Sequence, residues 1–248
     1  MNQASPRFRM FAGPNGSGKS IIKKAVPLRL LGIYVNPDEI ERQIRDTGGC
    51  LNFSDFGVKA QLDEVLAYFR WASRWDDSRL AIDLNRLTLT DDKLNLSGTG
   101  LNSYLGSVLA EFIRAKLMRQ STSFSTETVM PHESKVAFLK DAQAAGYRTY
   151  LYYVATEHPD INCFRVRQRV LQGGHDVPEE KIRERYRRSL DLVMDAVKYT
   201  NRAYFFGNSY GEQQVDEMWV AEVTEAKLLE LKQNWIPQWF QESVWNKL

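Results

Sequence analysis

Gly13-Pro14-Asn15-Gly16-Ser17-Gly18-Lys19-Ser20 decides how this chain is read. It fits the phosphate-binding loop pattern G-x-x-x-x-G-K-[ST] at every defined position. Just before it, Arg7-Phe8-Arg9-Met10-Phe11-Ala12 alternates polar and apolar residues as a strand does. Just after it, Ile21 to Leu31 reads as a helix. Strand, glycine loop and helix together form the context that the motif needs. Gly13, Gly16 and Gly18 can take backbone angles that residues with side chains avoid. Successive N–H groups can then turn inward at phosphate oxygens. The helix starting near Lys19 adds the positive end of its dipole. Lys19 would reach the β- and γ-phosphates, and Ser20 would offer its hydroxyl to Mg²⁺. The competing reading is a glycine-rich turn that contains Gly-Lys-Ser by chance, and the flanking elements count against it. Nucleoside triphosphate binding is therefore expected. The guanine-reading pattern Asn-Lys-x-Asp is missing, since Asn246-Lys247 falls at the very end, so ATP is expected rather than GTP.

A chain of 248 residues suits one α/β domain with additions, or two small domains. An apolar content of 43% supports a full core, and 26% charged residues suits a protein in water. A net charge of +2 is too small to imply nucleic-acid binding by itself. Cys50 and Cys163 lack the pair spacing of a zinc site and fit buried thiols in a reducing compartment. Met1-Asn2-Gln3-Ala4-Ser5-Pro6 lacks the apolar segment of a signal peptide. No apolar run is long enough to span a bilayer. The expected location is the cytoplasm, with no membrane partner.

Beyond the P-loop helix, Gly32 to Val35 is a short strand. It runs into Asn36-Pro37-Asp38-Glu39-Ile40, with Asn36 as a helix cap and Pro37 in the first turn. Asp38 then lies just past the carboxyl end of a strand, where ligands sit in open α/β sheets. It can accept a proton from a substrate hydroxyl, or it can merely favour the helix N-terminus through the dipole. Asp55 to Trp75 reads as an amphipathic helix. Arg79 to Gly100 looks like a small hairpin or an irregular insertion, punctuated by Asp91-Asp92 and Ser97-Gly98. Asn102 to Arg119 is another helix. Ser121 to Thr128 reads as a strand that delivers Glu127 to the sheet edge of Ser20 and Asp38. Glu127 either binds Mg²⁺ through water, positions the acceptor, or is an ordinary strand-end carboxylate. Pro131 to Ala145 is a helix closed by Gly146, and Tyr147 to Ala155 is the clearest strand.

The most charged part follows. A helix from Ile161 to Leu171 carries Arg165, Arg167 and Arg169. After the loop Gln172 to Pro178, a second helix carries Lys181, Arg183, Arg185, Arg187 and Arg188. Arg165 and Arg169 share one face, as do Lys181, Arg185 and Arg188. Helix, glycine hinge, helix with inward arginines is how a phosphotransferase builds a closing lid. The plainer alternative is a solvated surface with Glu179, Glu180 and Glu184 as ion-pair partners. A nucleic-acid groove is disfavoured, because aromatic interleaving is thin. Arg202 to Ser209 is the last expected sheet strand, with Met218 to Ala221 as a further short one. The tail from Ala226 onward reads as helical, its Trp235, Ile236, Trp239, Phe240 and Trp245 packing on the domain.

These pieces resemble the zeta toxin family, and more closely its ABC-type ATPase branch. The stretches that carry the likeness are Gly13 to Ser20, Tyr34 to Ile40, Phe124 to Thr128, Gly146 to Val154, and Arg169 to Ser189. Within the last of these, Gly173-Gly174-His175-Asp176-Val177-Pro178, Ile182 and Tyr186-Arg187-Arg188-Ser189 are the diagnostic residues. The resemblance covers most of residues 7–209, is weak over 52–120 and is absent in the tail. It implies a P-loop NTPase fold of kinase-like type: α/β, a mainly parallel central sheet flanked by helices. The chain is read as a single domain over 1–248, with a family-variable insertion at 52–120, a lid at 160–190 and a helical tail at 224–248.

The best-known relatives transfer the ATP γ-phosphate to a hydroxyl of UDP-N-acetylglucosamine, and a cognate antitoxin covers their ATP site. By position, the likeness assigns Gly13, Pro14, Asn15, Gly16, Ser17, Gly18 and Lys19 to the phosphates and Ser20 to Mg²⁺. It makes Asp38 the base, Glu127 an acceptor- or metal-site carboxylate, and Arg169 a phosphate-clamping lid arginine. Where toxins of known activity carry a second arginine before a Thr-Pro element, this chain has His175 before Val177-Pro178. Arg165 and Arg185 are the candidate substitutes. The resulting expectation is an ATP-dependent kinase acting on a small hydroxyl-bearing molecule, as the toxin of a toxin–antitoxin pair. The rival expectations are an ATP-gated module that works through protein partners, and a polynucleotide kinase.

Overall fold

The structure is a computed structural model and describes residues 5–73, 82–99, 103–174, 176–209, 211 and 214–248. The chain divides into two compact units, 1–31 with 125–248, and 32–124. The second unit is broader than the expected 52–120 insertion. It also takes in the segment that carries Asp38, where the sequence suggests a single domain.

The first unit opens with β1 (Arg7–Ala12), buried at every residue after Arg7. The P-loop leads into α1 (Lys19–Ala25). The expected helix to Leu31 is broken: Val26, which precedes Pro27, is extended, as residues before proline prefer, and α2 (Leu28–Leu31) follows.

In the second unit, β2 (Ile33–Val35) precedes α3 (Pro37–Asp46). The Asn36 side chain caps α3 by accepting from the Asp38 N–H at 2.9 Å, as its sequence suggests. After β3 (Cys50–Asn52), a 3-10 turn spans Phe53–Phe56 and ends on Gly57 at φ 62°. That left-handed residue stops the helix expected from Asp55, and α4 begins later (Leu62–Ser73). Trp75, its expected end, lies outside the described residues. The insertion resolves into a hairpin of β4 (Thr88–Thr90) and β5 (Lys93–Asn95). Its two-residue turn, Asp91-Asp92, has positive φ at both positions, as the favoured hairpin turn requires. β3 joins it to make a three-stranded antiparallel sheet. α5 (Ser103–Arg119) packs on α3 at Gly106, where a Cβ would lie 2.6 Å from the Pro37 carbonyl. Cys50 is half-buried here, whereas Cys163 in the first unit is buried.

The chain returns to the first unit through β6 (Phe124–Thr128). There follow α6 (Glu133–Ala144), β7 (Arg148–Ala155), α7 (Pro159–Leu171), α8 (Glu179–Asp191), α9 (Val193–Val197) and β8 (Arg202–Gly207). α10 (Val215–Met218), β9 (Trp219–Thr224), β10 (Leu228–Leu231) and α11 (Gln238–Ser243) complete it. Among the described residues, the strands of this unit lie side by side in the order β10-β9-β8-β7-β1-β6. β7 is parallel to β1 and to β8, while β9 and β10 extend the sheet antiparallel.

The expected helical tail is thus corrected at its start. Glu225 and Ala226 turn with positive φ, and Leu228 to Leu231 pairs back on β9. Helix is confined to α11 and a 3-10 turn at Trp245–Lys247. One face of the sheet carries an aromatic row: Phe11 stacks on Tyr152 at 4.8 Å and Tyr152 on Tyr204 at 4.9 Å. The tail does pack on the unit, through Trp239 at 5.8 Å from Tyr153 and Phe240 at 5.2 Å from Phe205.

Candidate functional site

β1, β7 and β8 are parallel and in register, so the chain leaves all three at the same edge of the sheet. The P-loop leaves after Ala12, Thr156 after Ala155, and Asn208 after Gly207. This is the carboxyl edge where open α/β sheets bind ligands.

The loop needs its glycines. Gly13, Gly16 and Gly18 have φ of 141°, 73° and 97°. A Cβ on Gly13 would lie 2.0 Å from the Val154 carbonyl oxygen, and one on Gly18 would lie 2.2 Å from Asn208 Nδ2. Lys19 is buried, and its Nζ donates to the carbonyls of Gly13 at 2.8 Å and Pro14 at 3.0 Å. The Glu127 carboxylate, near the end of β6, lies 3.9 Å from the same amine. β6 thus sets the Glu127 carboxylate beside the P-loop lysine. Two buried loop atoms, Asn15 Oδ1 and Ser17 Oγ, have no hydrogen-bond partner among the described residues. A backbone curled by left-handed glycines is the kind of loop whose N–H groups can converge on phosphate oxygens. For a cation, the nearby donors are the exposed Ser20 hydroxyl and the Glu127 carboxylate. Hard oxygens of this kind suit Mg²⁺, which takes one or two carboxylates together with phosphates and water. Among the described residues no group of three or more His, Cys, Asp or Glu is gathered for a metal ion.

The arginines separate into two groups. Arg167 pairs with Glu179, Arg183 with Asp160 at 2.5 Å, and Arg188 with Glu184 at 2.6 Å, so these serve the surface of α7 and α8. Arg165 faces inward. Its Nη1 donates to the Asn208 carbonyl at 2.8 Å, and burial pulls its pKa down from the ordinary value. Arg185 is half-buried on α8, and Arg169 is exposed on α7 with its stem against Gly174. His175 lies outside the described residues. Asp38 is exposed in the first turn of α3 in the second unit.

Sequence reasoning missed Asn162 and Asn208. Asn162 Nδ2 donates to the Asn15 carbonyl at 2.6 Å, and Asn208 Nδ2 donates to the Ser17 carbonyl at 2.8 Å. Asn208 had one available signal: it follows a strand parallel to β1's neighbour, at the edge where the P-loop stands. Asn162 had none, being a polar residue inside a helix.

No family model matches the chain. An uncharacterised protein of Haemophilus influenzae is 29% identical over 69 residues, which is 28% of this chain and 49% of that protein. The chain thus matches about half the length of this curated relative. Among solved structures, the native AvrRxo1-ORF1:-ORF2 complex aligns with a TM-score of 0.53 at 14% identity, covering 92% of this chain and 61% of that one. The same complex with ATP gives 0.52 at 13% identity, covering 92% and 60%. The PezAT chromosomal toxin–antitoxin system of Streptococcus pneumoniae gives 0.51 at 12% identity, covering 100% and 82%. The chain has the fold of these proteins. It is an α/β fold with a mainly parallel central sheet flanked by helices, as the sequence motifs imply. At identities of 12–14% the likeness is one of architecture. No described helix is long and apolar enough to cross a membrane.

Proposed function

We propose that this chain is an ATP-dependent phosphotransferase that moves the γ-phosphate to a hydroxyl of a small molecule. The observation that carries the reading is the curled glycine loop with the Lys19 amine held between loop carbonyls and Glu127. An amine poised there needs only a change of side-chain torsions to exchange two carbonyls for β- and γ-phosphate oxygens. The ATP-bound AvrRxo1 complex, which has the same fold, supports ATP as the nucleotide. Mg²⁺ would be held by Ser20 with Glu127, and would neutralise charge on the phosphates.

In this reading Asp38 accepts the proton of the acceptor hydroxyl, and Arg165, Arg169 and Arg185 stabilise charge on the transferring group. The fold neighbour from a toxin–antitoxin system supports a cognate antitoxin as a protein partner. A nucleotide sugar such as UDP-N-acetylglucosamine is the first acceptor to try, and a cytoplasmic location follows from the supply of such metabolites.

The test is to incubate the protein with γ-labelled ATP and a metabolite extract, then identify the labelled product. Lys19→Ala is expected to abolish labelling, and Asp38→Ala to slow it by about 10²- to 10⁴-fold. Label released only as inorganic phosphate would replace this reading with an ATPase module. Unchanged transfer in Asp38→Ala would remove Asp38 as the base.

A further inference from the structure

The carbonyls of the P-loop are held from outside by side chains that come from distant parts of the first unit. Asn162, fully buried on α7, donates its Nδ2 to the Asn15 carbonyl at 2.6 Å. Asn208, 3% exposed just beyond β8, donates its Nδ2 to the Ser17 carbonyl at 2.8 Å. Each amide has its other end fixed by a donor. The Thr156 hydroxyl donates to Asn162 Oδ1, and Arg165 Nη2 approaches Asn208 Oδ1 at 3.4 Å. Each NH₂ is therefore left facing the loop. Asn208 is further pinned through its backbone, with its N–H on the Ala155 carbonyl at 2.8 Å and its own carbonyl accepting from Arg165.

The consequence is geometric. In a trans peptide the carbonyl of one residue and the N–H of the next point in opposite directions. Drawing the Asn15 carbonyl outward turns the Gly16 N–H inward. Drawing the Ser17 carbonyl outward does the same for Gly18. Neither N–H has an acceptor among the described residues. The fit of the anchors also accounts for the glycines: a Cβ on Gly16 would lie 2.9 Å from the Asn162 carbonyl oxygen, and one on Gly18 would meet Asn208 Nδ2.

We infer that Asn162 and Asn208 are positioning residues that orient the Gly16 and Gly18 amides of the P-loop toward the phosphates of the nucleotide. This rests on the ATP reading given above. It adds that the affinity of the loop is set from α7 and from the end of β8, rather than by the loop residues alone. The Lys19 hold on Gly13 and Pro14 is released when the amine turns to a phosphate, whereas the two asparagine anchors do not depend on Lys19. They keep the loop in its binding shape throughout. Because Asn162 and Arg165 both belong to α7, the helix that carries Arg169 is fixed to the loop it would serve.

The experiment measures ATP affinity by calorimetry in the full chain, for wild type and for Asn162→Asp, Asn162→Ala, Asn208→Asp and Asn208→Ala. Each variant is expected to weaken ATP by at least about 10-fold, the loss of one buried hydrogen bond and its preorganisation. Asn162→Asp carries a specific signature. The introduced carboxyl is buried, which raises its pKa, and when protonated it can again donate to the Asn15 carbonyl. Its ATP affinity relative to wild type is expected to recover as pH falls from 8 to about 5, while Asn162→Ala shows no such recovery. A merely structural role would lower thermal stability without this pH dependence. Should Asn162→Asp not fold, the same comparison is made between Asn208→Asp and Asn208→Ala. Wild-type affinity in all four variants overturns the inference and leaves the ATP reading standing. Failure of the wild type to bind ATP overturns that reading, and this inference with it.

Discussion

Gly18 shows what a single residue demands in this site. Its φ of 97° and the 2.2 Å approach of Asn208 leave no room for a Cβ. Gly18→Ala is expected to cost about 1–3 kcal/mol from the backbone conformation alone. If the chain binds ATP as proposed, Gly18→Ala should also abolish the rise in melting temperature expected of the wild type with ATP. Urea denaturation and thermal melts with and without ATP measure both. Unchanged values would mean that the loop is not shaped as described. At this scale the sequence is a good witness for the glycines, Lys19 and Ser20, because their requirements are local to eight consecutive residues. It is a poor witness for the anchors. Asn162 stands 147 residues from the carbonyl it holds, and Asn208 stands 191 residues from its own.

The tail is the element where local pattern and tertiary outcome part. Leu228-Leu229-Glu230-Leu231 suits a helix as readily as a strand, since short apolar runs carry no decisive period. The positive-φ turn at Glu225-Ala226 and the free edge of β9 decide for a strand. Helix resumes only at Gln238, where Trp239 and Phe240 are 3% and 0% exposed. Trp239→Ala is expected to destabilise the protein by about 3–5 kcal/mol, the usual cost of emptying a large aromatic site. Trp245→Ala, at a side chain 43% exposed, is expected to cost less than about 1 kcal/mol. Chemical denaturation of the two variants gives the contrast, and equal effects would contradict the packing of α11. The paired helices α7 and α8 were legible as elements, but not in their division of labour. Arg167, Arg183 and Arg188 look like Arg165 in the sequence, and only the position of Asn208 singles out the inward one.

For the molecule as a whole, buried tyrosines tie stability to alkaline pH in both units. Burial pushes Tyr68 of the second unit and Tyr147 of the first up to about 12, and raises Tyr153 and Tyr186 as well. In the unfolded chain these phenols titrate near 10. Their contribution is therefore complete below pH 10, and it is lost as pH rises through 10 toward 12, where the unfolded state releases protons that the folded state retains. The urea midpoint is expected to fall across that window, and Tyr147→Phe to reduce the fall. A midpoint level up to pH 12 would refute it. The sequence by itself determined the P-loop, its strand and helix, and the alternation of strands and helices that makes an α/β sheet. Backbone freedom at glycine, capping at Asn36 and apolar periodicity act over a few residues and can be read in order. Tertiary structure alone decided the division into two units, the β3-β5-β4 sheet, the pairing of β10 on β9 and the asparagine clamp on the loop. Each of those depends on hydrogen-bonding groups far apart in the chain finding one another, and no local pattern encodes such a meeting.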